Sequence, residues 1–180
     1  GAAALVLESE TVARERGAAV LGELLGSGCA AEARGLLAVR DDGDGPARAI
    51  SAALAEAEIG RDEIGMIVAH GSGTRQGDLS EARALRSVFG DAVPPVTAFK
   101  WAFGHTLAAA GALDLVLAIL ALHDGCAPGI ATLRELDADC ADLPASREAT
   151  RARGNCALVL ARGFAGLNVA LVVRAPGPGF

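Results

Sequence analysis

Residues 106–122 form the longest apolar run in the chain, and Asp114 interrupts it. The run falls short of the ~20 residues that a bilayer-spanning helix requires. It therefore reads as a buried core helix, and the rest of the chain has to supply layers around it. Short apolar runs at 3–7, 18–25, 64–69, 96–99, 156–161 and 169–173 have the length and composition of strands. Residues 10–16 are polar and helix-compatible, 47–57 form an amphipathic helix, and 60–63 form a turn before the buried strand at 64–69. Asp78-Leu-Ser-Glu81 has the form of a capping box, which predicts a helix running from there to about Phe89. The loop at 41–46, rich in Gly and Asp, is the best internal boundary. Strand and helix alternate and a strand pair ends the chain, so the expected fold is α/β, layered α-β-α around a mixed sheet.

Composition narrows the function classes. A net charge of -6 and a pI near 5.0 leave no basic stripe for a phosphate backbone, and the only prominent stacking candidates are Trp101, Phe103 and Phe164. Nucleic acid and membrane are both excluded as expected partners. The four cysteines, Cys29, Cys126, Cys140 and Cys156, lie far apart with no CxxC pair and no Cys/His cluster at metal-ligand spacing. Reduced thiols in a cytoplasmic setting and no metal site are the expectation. The opening Gly-Ala-Ala-Ala-Leu-Val-Leu-Glu has no initiator Met and no basic leader, as expected of a fragment or a processed product.

Three segments place polar groups among glycines at strand ends or helix starts, where open α/β sheets bind ligands. They are Ala-His70-Gly-Ser-Gly-Thr74, Lys100-Trp-Ala-Phe-Gly-His105 and Gly-Phe164-Ala-Gly-Leu-Asn168. A single histidine at a strand end is ordinarily a hydrogen-bonded structural residue, and a lysine before a helix is ordinarily a solvated charge. Here two of three histidines and one lysine share Gly-flanked turns, which points to a site. Glycine admits a substrate to the backbone, and a neutral imidazole can donate its ring N–H to developing negative charge. His123, before Asp124-Gly125, reads instead as a partner of its own helix C-terminus.

These segments resemble those of the β-ketoacyl synthases. The stretch from His70, His-Gly-Ser-Gly-Thr-Arg-Gln-Gly-Asp-Leu-Ser-Glu-Ala, is similar to the family's HGTGTxxGDxxEA. Lys100, four residues, His105 and Thr-Leu-Ala-Ala-Ala-Gly-Ala are similar to KSxxGHTxGAAGA, and Phe164-Ala-Gly-Leu-Asn168 to the GFGGTN turn. Residues 1–7 resemble a GxGAGxLVLE strand, so the likeness spans essentially the whole chain in the family's order and spacing.

The resemblance implies the C-terminal half of a thiolase-like fold, incomplete without an N-terminal half. Residues 1–40 would be the tail of the N-terminal half and 41–180 the C-terminal half. Because such a cut falls inside the molecule, unpaired strand edges and a bare apolar face are expected. It further implies decarboxylative Claisen condensation in fatty-acid or polyketide assembly. His70 and His105 would bind the malonyl thioester and stabilise its enolate, with Lys100 orienting the site. Phe164 would gate the acyl pocket, while Ser72 and Thr74 would contact the pantetheine arm of an acyl carrier protein. Asp114 stands where the family has a glutamate, and Asp78 reads as the helix cap. No resident cofactor is implied, since the carrier protein brings its own phosphopantetheine. The implied partners are that carrier protein and an N-terminal half or partner subunit, in a homo- or heterodimer.

The sequence departs from the family pattern at several places. Ala98 and Phe99 replace Ser/Thr before the lysine, Trp101 follows it, and Ala165 and Leu167 replace a Gly and a Thr in the last turn. The family's nucleophilic cysteine belongs to a segment of the N-terminal half that is not in this sequence. Cys29, in Gly-Ser-Gly-Cys-Ala-Ala, has small neighbours but falls in a post-strand loop on the family mapping and reads as non-catalytic. The alternative is a non-catalytic, chain-length-factor-like partner of a ketosynthase, although a pure scaffold has no chemical need for both histidines and the lysine.

Overall fold

The structure is a computed structural model describing residues 1–176. Its centre is a five-stranded sheet in the order β1-β7-β6-β2-β3. The strands are β1 (Glu23–Ala31), β2 (Ile64–Val68), β3 (Val96–Thr97), β6 (Cys156–Gly163) and β7 (Leu167–Arg174). Strands β6, β2 and β3 run parallel, while β7 is antiparallel to both β1 and β6, so the sheet is mixed. Two short strands, β4 (Cys126–Ala127) and β5 (Thr150–Arg151), pair apart from it.

Both faces of the central strands β2 and β6 are covered, whereas alternate residues of β1 stay exposed on one face. On β6, Leu158 and Leu160 point into one core and Ala157 and Val159 into the other, so a continuous apolar run fills two layers. The first core is closed by α2 (Asp44–Ala57) and α3 (Arg75–Phe89) through Ile50, Leu54, Leu85 and Phe89. The second is closed by α5 (Ala110–His123), the helix expected from the apolar run, through Leu115, Ala118 and Leu122. Short helices α1 (Glu10–Glu15) and α4 (Lys100–Phe103) complete the helical elements among the described residues. None of these helices is long and apolar enough to cross a membrane.

Three expectations need correction. The strand read at 18–25 lies instead at Glu23–Ala31. Its glycines look like loop residues, but they let α2 pack directly on the strand: a Cβ at Gly28 would fall 2.0 Å from the Ala49 carbonyl oxygen. Cys29 consequently sits in β1 opposite Val169, not in a loop after a strand. Residues 3–7 form no strand, and Leu5, Val6 and Leu7 are exposed.

As expected, one strand edge stays open: among the described residues no strand pairs with the outer side of β1. Two of the outward polar groups of β1 are taken by α2, with Arg48 donating to the Ala31 carbonyl and Glu56 accepting from the Ser27 N–H. On the far edge, Val96 bridges to Ala145. An apolar surface formed by Leu5, Val6, Leu7 and Leu21 with Val116 and Leu120 of α5 stays open as well. The division drawn at residue 40 follows a strand, β1, that pairs along most of its length with β7. The loop at 41–46 packs inward, with Gly43, Gly45 and Pro46 buried.

At the β6–β7 turn Ala165 takes a left-handed conformation, φ 61° and ψ 22°. An L-residue there costs about 1–2 kcal/mol, while glycine adopts it freely at the cost of a more flexible unfolded chain. Ala165→Gly should therefore raise Tm by about 1–2 °C and Ala165→Val should lower it clearly; thermal melts check both.

Candidate active site

His70 follows β2, whose five residues are all buried, and is itself 7% exposed. Its backbone is fixed by Glu81 of α3, whose two carboxylate oxygens accept from the N–H groups of His70 (2.6 Å) and Gly71 (3.0 Å). The capping box read at Asp78–Glu81 is thus not formed. The helix starts three residues earlier, at Arg75 after Thr74, and Asp78 accepts from the Gly73 N–H at 3.3 Å. The pattern of spacing was right for a cap, but the glutamate turns to the histidine loop instead. Glu81 is a site residue that the sequence reading missed, because a buried carboxylate on an amphipathic helix looks like any charge of its solvated face. Burial pushes its pKa up, against the two N–H donors that favour the charged form.

The His70 ring packs edge-on against His105, with ring centroids 5.1 Å apart and planes 73° apart. Each ring has its Nδ1 occupied as an acceptor. His70 Nδ1 receives the Arg162 backbone N–H at 3.3 Å, and His105 Nδ1 receives the Leu107 N–H at 3.1 Å. Both protons therefore reside on Nε2, and the pair offers two N–H donors. Burial, and after it the charges of Lys100, His105 and Arg162, push the His70 pKa down to about 3, so this imidazole is neutral at physiological pH.

Lys100 begins α4 and is buried, its Nζ 2.8 Å from Asp114 Oδ2 of α5. The shorter carboxylate therefore still reaches the lysine. Burial raises the Asp114 pKa while Lys100 opposes that rise, and Oδ1 has no protein partner. Ser72 and Thr74 share a hydrogen bond of 3.0 Å between exposed hydroxyls at the start of α3. A cavity of about 780 Å³ runs from Ser72 past Lys100 and His105 to Leu143. Phe164 stands apart, 69% exposed on the β6–β7 turn. His123 Nε2–H donates to the Leu21 carbonyl oxygen at 2.8 Å, outside the site. Cys140 and Cys156 are buried, and burial raises both thiol pKa values, which disfavours the thiolate that a nucleophile needs.

These elements make an α-β-α domain in which two paired imidazoles and a buried lysine sit at the ends of the strands. The profile describing the C-terminal domain of beta-ketoacyl synthases matches residues 21–134. The tetracenomycin polyketide synthase ketoacyl synthase alpha subunit of Streptomyces glaucescens is 35% identical over 178 residues, which are 98% of this chain and 42% of that protein. Among solved structures, the ishigamide ketosynthase/chain length factor matches with a TM-score of 0.86 at 37% identity, over 94% of this chain and 42% of the other. A type II acyl-carrier protein in complex with its ketosynthase bound to a hexaketide gives a TM-score of 0.89 at 32% identity, with the same coverage. The chain belongs to the β-ketoacyl synthase family and corresponds to its C-terminal domain. It spans about two fifths of the length of the relatives it matches.

Proposed function

We propose that this chain supplies the malonyl site of a decarboxylative Claisen condensation in polyketide or fatty-acid assembly. The observation that carries the proposal is the imidazole pair, each ring with Nδ1 occupied and Nε2–H free to donate. Two such donors converging on a thioester oxygen stabilise the charge that develops there. The bond between the malonyl Cα and its carboxylate breaks, CO2 leaves, and the electron pair delocalises onto the thioester oxygen as an enolate. The enolate carbon then attacks an acyl thioester held on a cysteine, forming the new C–C bond and expelling the thiolate. Lys100, held by Asp114, keeps a fixed positive charge beside the pair.

In this reading Ser72 and Thr74 contact the pantetheine arm of an acyl carrier protein, and Phe164 gates the acyl pocket. The arm enters as substrate, and no resident cofactor takes part. The acyl-accepting cysteine lies outside residues 1–180, on an N-terminal half or a partner subunit, and the apolar surface beside α5 is where that partner packs. Retention of both histidines and Lys100 favours this reading over a chain-length-factor-like scaffold.

The test is paired. Incubated alone with a radiolabelled acyl thioester, the chain should carry no label on Cys29; joined to a cysteine-bearing half, it should release CO2 from malonyl thioester. Label on Cys29 would displace the cysteine assignment, and absence of CO2 release from the joined protein would sink the proposed reaction.

A further inference from the structure

The donor geometry of His70 depends on one backbone N–H, that of Arg162, and the side chain of Arg162 is anchored in an unusual way. Its Nη2 lies 2.7 Å from Glu32 Oε1, and its Nη1 donates to the Gly77 carbonyl at 3.2 Å. The Glu32 side chain is fully buried and that of Arg162 is 10% exposed. Glu32 Oε1 also accepts from Asn168 Nδ2 at 3.0 Å, and Oε2 accepts from the Arg40 N–H at 2.7 Å. Five segments converge on this carboxylate: the end of β1, the loop before α2, the first turn of α3, and the paired ends of β6 and β7, where Arg162 faces Asn168. The surrounding backbone is closed tightly enough to exclude side chains. A Cβ at Gly45 would fall 2.7 Å from Glu32 Cγ, and one at Gly166, already at φ +69°, would fall 2.8 Å from Glu32 Cβ.

A buried ion pair of this kind is a poor source of stability, because desolvation of both charges offsets most of their attraction. It is, however, an effective way to fix geometry, since a guanidinium forked between two acceptors on different elements holds its own backbone in place. We infer that Glu32 and Arg162 are positioning residues for His70: the pair clamps the β6 backbone so that the Arg162 N–H stays on His70 Nδ1 and keeps the ring proton on Nε2. The catalytic consequence rests on the reaction proposed above; the tautomer consequence does not. Arg162 also adds its positive charge to that of Lys100 near the ring, with Glu81 of α3 bound to the His70 backbone N–H and Asp114 engaged by Lys100.

Arg162→Met alone leaves a buried, uncompensated carboxylate and is expected to fold poorly. The informative variant is the double substitution Glu32→Gln with Arg162→Met, which removes both charges, nearly keeps the volume and leaves one amide oxygen to accept from Arg40 or Asn168. Nitrogen NMR on 15N-histidine protein reads the tautomer of each ring, and only three histidines have to be assigned. The parent should show a bare Nδ1 and a protonated Nε2 at His70. The double variant should keep its melting temperature within a few degrees and leave the His105 signals in place, yet show mixed His70 tautomers. In the protein joined to its cysteine-bearing half, its CO2 release should fall about 100-fold in kcat with little change in KM, as expected for a misplaced donor. Arg162→Lys, which keeps the charge but loses the fork, should recover only part of the rate. A folded double variant whose His70 remains a single Nε2–H tautomer and whose kcat is unchanged would overturn the assignment. If the parent itself releases no CO2, the proposed reaction fails while the tautomer measurement still decides the positioning role.

Discussion

His70→Ala and His105→Ala are each expected to cut CO2 release from malonyl thioester by about 100- to 1000-fold, the usual loss when one oxyanion donor is removed. Acyl loading of the partner cysteine should continue in both variants, because the role proposed for the imidazole pair is confined to the malonyl step. Phe164→Ala, on an exposed turn away from the two rings, should instead alter loading or chain-length preference. Labelled CO2 release and acyl-enzyme formation, measured on all three variants, separate these roles. The pH profile adds a second check. With its pKa held near 3, chiefly by burial, His70 stays neutral from pH 5 to 8, so decarboxylation should show no inflection near the ordinary histidine value of 6.5 from this residue. The sign for stability follows from the same shift. Between pH 6.5 and 3 the unfolded chain binds a proton that the folded chain refuses, so stability drops as pH falls through that window, and His70→Gln should remove that part of the dependence. Normal decarboxylation in both alanine variants would return the chain to the scaffold reading.

The residues of the candidate site were legible because they stand in short glycine-flanked segments of fixed spacing, a tighter pattern than packing imposes. His70, Lys100, His105 and Asp114 were all found by motif, and the structure joins them as two pairs, the rings at 5.1 Å and the ion pair at 2.8 Å. The apolar runs at 64–69 and 156–161 and the helix at 47–57 were equally plain, since each fills a core with an unbroken or properly spaced apolar pattern. Where close backbone packing replaces side-chain packing, the pattern fails. Strand β1 was misplaced because Gly26 and Gly28 exist to admit α2, and a glycine carries no hydrophobic signal. Glu32 and Arg162 were invisible for a different reason. A charge that is buried by partners distant in sequence, 130 residues apart for Glu32 and Arg162, is indistinguishable in the sequence from a solvated one. Asp78 and Glu81 show the reverse error, a local capping signature overridden by the need to hold the histidine loop.

Lys100→Met should be the most destabilising single change at the site. The side chains of Lys100 and Asp114 are 5% and 1% exposed, and the removal of one partner leaves the other as a buried charge, a loss of about 3–5 kcal/mol. In a chain of this size that corresponds to a fall in Tm on the order of 10 °C. The loss should depend on pH in a direction that identifies its cause. Burial already raises the Asp114 pKa against the pull of Lys100, and without the lysine only the raising influence remains. A carboxyl whose folded pKa lies above its unfolded value loses stability as pH rises through the unfolded value, because the unfolded chain ionises first. The Tm of Lys100→Met should therefore decline from pH 4 to 8 relative to the parent. Pairing the substitution with Asp114→Leu, which removes the stranded carboxylate, should recover most of the stability and abolish that decline. The recovered double variant should still decarboxylate slowly, since the fixed charge beside His70 is gone. Melts of the single and double variants at pH 4, 6 and 8 make the comparison, and a Lys100→Met protein as stable as the parent at pH 8 would show that the pair is not buried as a unit.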